Sequence, residues 1–439
     1  PLPPRAIVNG LRSILAPATL IVATIHAVPA FAATPAQIAE RFIRDPEATQ
    51  VELSPTAEFV ALQVPREDKT LLVVMRRTDK SIVAHLSLGE HTHVGEFEWV
   101  SADQVVAELY RSTEGRNAPR PTGLVYTLDV RAGKGEAIAG PVTSFLSDKD
   151  AEVHAAYLLD GLRNDDENVL LLSIPIDEPL PLVEAMKVDA DSGTGRRVVR
   201  APVRRAWLLT DPAGNVRTAV GSGSDNWMET WYRDAEGGEW RRINVEAEVG
   251  RTWWPVGFSA DGSRVLMQRD QAQGPDALDW WTPATDTWAT AWRDAVFDPD
   301  DILFDPDTGA AVGTEPAGGE QKAVFFDASS EFAKLHVKLS RALPGMRLRI
   351  GARRGEGLRT VLAFNDRNPG DVYLFDETKG SLEGLMAHAR WIDPATMAAK
   401  RPIQFRARDG LDLHGYLTLP NGHAEGPVPM ILMPHGGPI

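Results

Sequence analysis

Between residues 51 and 395 the chain is written in short apolar runs broken by Asp, Gly, Pro and Ser, and no stretch sustains the 3.6-residue period of a long amphipathic helix. Two kinds of segment alternate. The first is a strand, a polar turn and a second strand, as in LSPTAEFVALQV from Leu53, WLLTDPAGNVRTAV from Trp207 and GFSADGSRVLMQR from Gly257. The second repeats that shape a few residues on, as in LLVVMRRTDKSIVAHL from Leu71, AVFFDASSEFAKL from Ala323 and DVYLFDETKGSLEGL from Asp371. Seven such pairs succeed one another, at roughly the 45- to 60-residue spacing of a β-propeller with four strands per blade. A β-sandwich rarely needs so many hairpins, and a parallel β-helix repeats at a much shorter period. The pattern therefore predicts an all-β, seven-bladed propeller over residues 47–395.

A four-stranded blade cannot cover both of its own faces, so neighbouring blades must do it. Ten of the twelve tryptophans fall between Trp207 and Trp292, and large aromatics are suited to filling such seams. A carbohydrate-binding platform is the competing use of Trp253-Trp254 and Trp280-Trp281. Adjacent residues on a strand face opposite sides, which makes a poor flat surface and favours packing.

Both ends of the chain break the pattern. Arg5 and Arg12 precede the mainly apolar run 14–25, and Ala30-Phe31-Ala32 offers small residues at the positions a signal peptidase reads, so residues 1–32 are expected to be a secretory leader cleaved after Ala32. That expectation places the protein in the periplasm or outside the cell, with no stable membrane association once the leader is removed. Residues 33–46 hold a short helix with Ile38, Phe42 and Ile43 on one face, ended by Asp45-Pro46. At the other end, residues 396–439 carry strand-like runs at 411–419 and 428–433, then His435-Gly436-Gly437-Pro438 and Ile439.

Composition narrows the function. Lysine and arginine number 46 against 61 acids, a formal charge of −15, which argues against a nucleic-acid partner because phosphates need a basic footprint. With no cysteine, disulfides, cysteine–zinc sites and cysteine nucleophiles are all excluded. His91 and His93 could share one face of an extended segment but lack a third ligand nearby. The runs 189–193, 298–301 and 305–309 look like pieces of a calcium loop without its closing glutamate, and tight turns need the same residues. Gly221-Ser-Gly-Ser-Asp225 has neither the spacing of a dinucleotide fingerprint nor the lysine of a phosphate loop. No metal or organic cofactor is implied.

The last motif carries most chemistry. A strand running into paired glycines lets backbone N–H groups approach a reacting oxygen that a side chain would screen. α/β-Hydrolases take one oxyanion donor from such a loop, and their serine, acid and histidine follow it in that order. The nucleophile elbow G-x-S-x-G occurs nowhere in the 439 residues. The order places a catalytic triad beyond Ile439, so none of its members is assigned here, and the 439-residue chain is expected to be inactive by itself.

The leader, the propeller pattern, and the junction FRARDGLDLHGYLTLP followed by PMILMPHGGP together resemble the prolyl oligopeptidase family of serine peptidases, in particular its dipeptidyl aminopeptidase and acylaminoacyl peptidase branches. The resemblance is most specific at Arg408-Asp409-Gly410, Gly415-Tyr416-Leu417, Leu419-Pro420 and His435-Gly436-Gly437-Pro438. It implies a propeller covering the active site of an α/β-hydrolase domain that begins near residue 396, short peptides as substrates, and an oxyanion loop formed by His435, Gly436 and Gly437. Some branches use a tyrosine hydroxyl at the position of His435, so a side-chain donor is not carried over. Two alternatives remain: a non-catalytic propeller that binds a protein or peptide, and an esterase or amidase of the same fold.

Overall fold

The computed structural model describes residues 34–113, 116–141, 153–235, 237–423 and 426–434. The described residues up to Arg44 fall in one unit and those from Asp45 in another. In the first, the helix Pro35–Ile43 starts at a reciprocal cap in which Thr34 and Gln37 each satisfy the other's backbone N–H. None of its residues is buried, and Ile38, Phe42 and Ile43 are all exposed.

The larger unit is built from antiparallel meanders in which strands pair with their neighbours in sequence. We name them by residue range: A, 51–86; B, 92–139; C, 154–200; D, 207–245; E, 253–293; F, 299–325; and G, 347–387. A and B share one eight-stranded sheet, in which the strand pairing between them is the parallel bridge of Thr70 with His93. C, D, E and G each have four strands and F has three.

The meanders bury their faces on one another, as the repeat pattern requires. Phe59, Leu72 and Val74 of A meet Phe97, Trp99 and Leu128 of B, and Val106 and Val125 of B meet Val169 and Leu171 of C. Leu170 and Ala185 of C pack on Leu208 and Val216 of D. Tyr232 of D meets Phe258, Met267 and Trp281 of E, and Leu278 and Trp280 of E reach Ala311 of F. Leu53, Val60 and Leu62 of A also pack on Leu358, Leu374 and Met386 of G, which closes the succession into a propeller-like ring. Each fully buried side chain of this size contributes about 1.5–3 kcal/mol.

The junction of F and G is polar. Glu315 of F, 2% exposed, accepts hydrogen bonds from Arg347 and Arg349 of G. Arg359 of G, 4% exposed, holds Asp307 in the first turn of F and Glu377 in the turn after G's third strand.

One stretch departs from the sequence expectation. AVFFDASSEFAKL supplies only the two-residue strand Val324–Phe325, and the helix Glu331–Ala342 stands where the other meanders have a fourth strand. The helical period was present: Ser330 caps Ala333 N–H, and Phe332, Leu335, Leu339 and Leu343 recur at intervals of three and four residues. Leu339 is buried against Leu348, Val361 and Phe375 of G.

Strand direction gives the ring two distinct ends. The first strand of each meander starts at one end, called upper here, and reaches its first turn at the lower end. Residues after 387 leave from the upper end, where Glu47 N–H donates to the His388 carbonyl at 2.7 Å. They continue into a hairpin, Lys400–Arg406 against Asp412–Thr418, whose turn requires the left-handed φ of +89° at Gly410. Tyr416 Oη donates to the Gly319 carbonyl at 3.1 Å, and the His414 ring lies 5.3 Å from Phe297, fastening this hairpin over F. The expected strand at 428–433 makes no ladder, and Met430, Ile431, Leu432 and Met433 are 76–89% exposed. No helix among the described residues is long and apolar enough to cross a membrane.

Candidate functional site

His435, Gly436 and Gly437, the residues the sequence singles out for an oxyanion loop, lie outside the described residues. So does Ile439, the point beyond which the sequence places the catalytic triad, and the structure therefore brings no serine, acid and histidine together there. The leader with its expected cleavage point at Ala32 is outside them as well. Pro434, the last described residue, follows the exposed run Met430–Met433. What the structure does define is the channel that the meanders enclose.

At the lower end the first turns of A, B, C, F and G converge on a cavity of about 1250 Å³ lined by Pro55, Glu98, Asp160, Arg163, Asp307 and Arg354, among others. The turns of D and E join through an adjoining space that shares Arg163 and Asp307. Most carboxylates here are already used. Asp211 caps Ala213 and Asn215 and pairs with Arg217 at 2.8 Å, Asp165 pairs with Lys187 at 2.5 Å, and Asp307 is held by Arg359.

Glu98 is different. Surrounding protein replaces much of its bulk solvent, and Glu52 and Asp160 add like charge, so its carboxyl is pushed up to about 7 although Arg163 pulls the other way. Water still reaches it through the cavity. A Cβ on Gly161 would fall on the Glu98 carboxylate, so the glycine leaves room for this rotamer, which a larger residue would push aside. Glu52 is also raised, by burial first, against the hydrogen bond of Gln50 and the charge of Arg354. Arg354 is lowered by burial, then by Arg163, with Glu52 and Asp307 opposing. The lower mouth is thus a polar opening of mixed charge, in which one carboxyl changes charge near neutral pH.

The upper end has another character. Trp207, the first residue of D's innermost strand, is 63% exposed and meets Trp254 of E edge to face at 5.7 Å. Nearby, the Asp270 carboxyl is raised by burial, then by Asp276 and Glu246, with Arg251 opposing.

Other sequence candidates resolve into local structure. His93 spends both ring nitrogens on hydroxyls, Thr70 at 3.1 Å and Ser112 at 3.0 Å. His91 sits in the left-handed region just before the strand Thr92–Trp99 rather than beside His93 on a shared face. Asp189 caps the N–H groups of Asp191 and Ser192, and Asp305 that of Asp307, as turn residues do. Gly221 lies in a buried strand, with a loop after it. Among the described residues no group of three or more histidines and carboxylates is arranged to hold a metal ion. The Glu52–Glu98–Asp160 grouping was not singled out in the sequence, where its members stand 46 and 62 residues apart with nothing to link them.

No family model matches the sequence. Among curated proteins the chain is similar to dipeptidyl aminopeptidase BIII of Pseudoxanthomonas mexicana, 22% identical over 405 residues, covering 90% of this chain and 55% of that protein. The chain therefore spans about half the length of the curated relative it matches. Among solved structures it shares its fold with a puromycin hydrolase (TM-score 0.51, 14% identity, 88% of this chain and 60% of that one). A prolyl endopeptidase, from a study of two such enzymes and their inter-domain dynamics, is equally similar in fold (TM-score 0.51, 10% identity, 86% and 55%). Prolyl oligopeptidase B from Galerina marginata has a TM-score of 0.50 at 9% identity, over 88% of this chain and 57% of that one. The sequence match takes in 90% of the chain and the fold agrees with it: the chain is similar in sequence to a dipeptidyl aminopeptidase and shares the fold of prolyl oligopeptidase-type enzymes.

Proposed function

We propose that this chain is the propeller portion, with the start of the peptidase domain, of an exported serine peptidase that hydrolyses short peptides by acyl transfer. In this reading residues 1–32 are the leader, 33–46 the N-terminal helical segment, meanders A–G the seven blades of a propeller over 47–395, and 396–439 the opening of an α/β-hydrolase domain. A serine would attack the peptide carbonyl, a histidine would serve as base and then acid, and backbone N–H groups including that of Gly437 would stabilise the tetrahedral oxyanion. His435 would fix the loop. The serine and histidine are not assigned to any residue of these 439, and the reading places them beyond Ile439.

The observation that carries the reading is the likeness to a dipeptidyl aminopeptidase over 405 residues. Two features support it. The segment 388–434 leaves the ring at one end of its channel, and the apolar run Met430–Met433 is exposed as an inner strand without its sheet would be.

The test compares the 439-residue chain with the product of the whole open reading frame, using chromogenic dipeptide substrates and acyl-amino-acid substrates. Turnover by the longer protein that a serine-directed phosphonate abolishes is expected, with none from the 439-residue chain. Phosphonate-sensitive turnover by the 439-residue chain alone would overturn the assignment of its chemistry to residues elsewhere, and inertness of the longer protein would favour a binding role.

A further inference from the structure

We propose that the seam between C and D holds, at the lower end of the ring, a binding site for a small phosphate monoester, a dianion carrying a compact apolar group, with Lys187, Arg196 and Arg233 as its cations. The proposal does not depend on the peptidase reading.

A cavity of about 260 Å³ opens there between the two meanders, walled by the first turn of C, 161–167, and the first turn of D, 211–215. Its floor is apolar, where Leu162, Leu170 and Val198 of C pack with Val216 of D. Among the described residues five that line it carry charge. Arg163 borders it but turns its guanidinium towards F, where a Cβ on Gly309 would lie 3.2 Å from either terminal nitrogen. Asp165 is already spent on Lys187 at 2.5 Å and on the N–H groups of Glu167 and Asn168 at 3.1 and 2.9 Å. Lys187, Arg196 and Arg233 therefore leave an excess of positive charge, in a chain whose formal charge is −15.

That excess is built into the strand register. Lys187 and Arg196 stand directly opposite each other on neighbouring strands of C, and like charges facing across a ladder destabilise it. The rest of the strand Gly195–Arg200 avoids this, since Arg197 and Arg200 both pair with Glu184. Among the described residues the Arg196 guanidinium makes no ion pair or hydrogen bond. Arg233, 6% exposed, enters from D with its guanidinium 5.6 Å from the centre of the Trp240 ring. A charge buried in such a wall is screened less than one at the surface, and a cleft lined by one sign of charge focuses its field.

A phosphate group answers this arrangement, because it relieves the facing cations and matches the planar fork of an arginine. The floor takes the apolar part of the ester. The cavity is smaller than the roughly 300–1,000 Å³ of pockets for drug-sized ligands, so that part is no larger than about a single ring. Contacts from both meanders mean that the bound ester would also fasten C to D.

Titration calorimetry on the 439-residue chain at fixed ionic strength tests the site, with phenyl phosphate, inorganic phosphate and phenol as probes. Phenyl phosphate is expected to saturate one site, inorganic phosphate to bind about tenfold more weakly, and phenol to give no heat of binding. Arg196→Gln should weaken phenyl phosphate about tenfold, the share of one charge-assisted hydrogen bond, and Arg196→Lys should recover part of that loss. Arg197→Gln, on the opposite face of the same strand, should stay within about twofold. Both glutamine variants should keep the ligand-free Tm of the wild type, since each replaces a surface side chain.

Failure of either phosphate to saturate, binding that Arg196→Gln leaves unchanged, or equal loss in the two glutamine variants would each overturn the site. Inorganic phosphate binding as tightly as phenyl phosphate would overturn its assignment to an ester.

Discussion

Replacing Glu315 by glutamine tests whether the polar junction between F and G is a structural lock. Glu315 is 2% exposed and receives Arg349 at 2.9 and 3.2 Å, together with Arg347. Breaking a buried pair by removing one partner costs about 3–5 kcal/mol. Here the arginine side chains are 28% and 34% exposed, and Arg349 keeps Asp301, so water and that carboxylate recover part of the loss and about 2–3 kcal/mol remains. Urea unfolding followed by tryptophan fluorescence reads the change.

The same residue predicts an acid limb. Burial alone would raise the Glu315 carboxyl, but the hydrogen bonds of Arg349 and Arg347 outweigh it and hold its pKa below the usual 4.5. Its stabilisation is therefore fully present above about pH 4.5 and lost as pH falls through the lower folded value. The glutamine variant should lack that part of the acid loss. A variant that unfolds within about 0.5 kcal/mol of wild type, or that keeps the full acid limb, would refute the lock.

Three further outcomes are expected. Glu98 has a folded pKa of about 7, above its unfolded 4.5, so stability falls as pH rises between those values; Glu98→Gln should flatten this slope and gain about 1 kcal/mol at pH 8, a figure reduced for the water in the cavity, and an unchanged slope in denaturation profiles would count against the cluster. Trp281→Ala removes a side chain 3% exposed that meets Tyr232 at 5.0 Å and Trp288 at 5.9 Å, and should cost about 3–5 kcal/mol by urea denaturation. Ending the chain near residue 400 removes the exposed run Met430–Met433 and should raise soluble yield; an equal or better yield with that run retained would argue that it is covered in solution.

The strands were legible in the sequence because their signals are local. Turn clusters such as Asp211-Pro-Ala-Gly and Ser259-Ala-Asp-Gly stand where the structure turns, with Asp211 and Asp261 capping the N–H groups that follow. Alternation within the runs reappears as burial, for example in the strand Leu358–Phe364. The helix Glu331–Ala342 was missed because the repeat expectation overrode a correct local signal. Ser330 and the spacing of Leu335, Leu339 and Leu343 read as a capped helix once the demand for a fourth strand is dropped.

The channel was not legible, and the reason is general to rings of repeats. Glu52, Glu98 and Asp160 interact because three meanders place the ends of their first strands around one axis, a relation fixed by seams such as Val106 on Val169 rather than by any spacing between the acids. The same holds for Trp207 and Trp254, 47 residues apart and brought together only by the packing of D on E. A propeller therefore hides its functional wall from the reader of the sequence while announcing its scaffold. A junction motif such as Arg408-Asp409-Gly410 is visible because it works locally, in the hairpin turn where Gly410 donates its N–H to the Ala407 carbonyl at 3.0 Å. Residues that face the channel must be found by asking which first-strand side chains the ring leaves in water, a criterion that keeps Glu98 and Phe304 at the lower end and Trp207 at the upper among a handful of exposed positions.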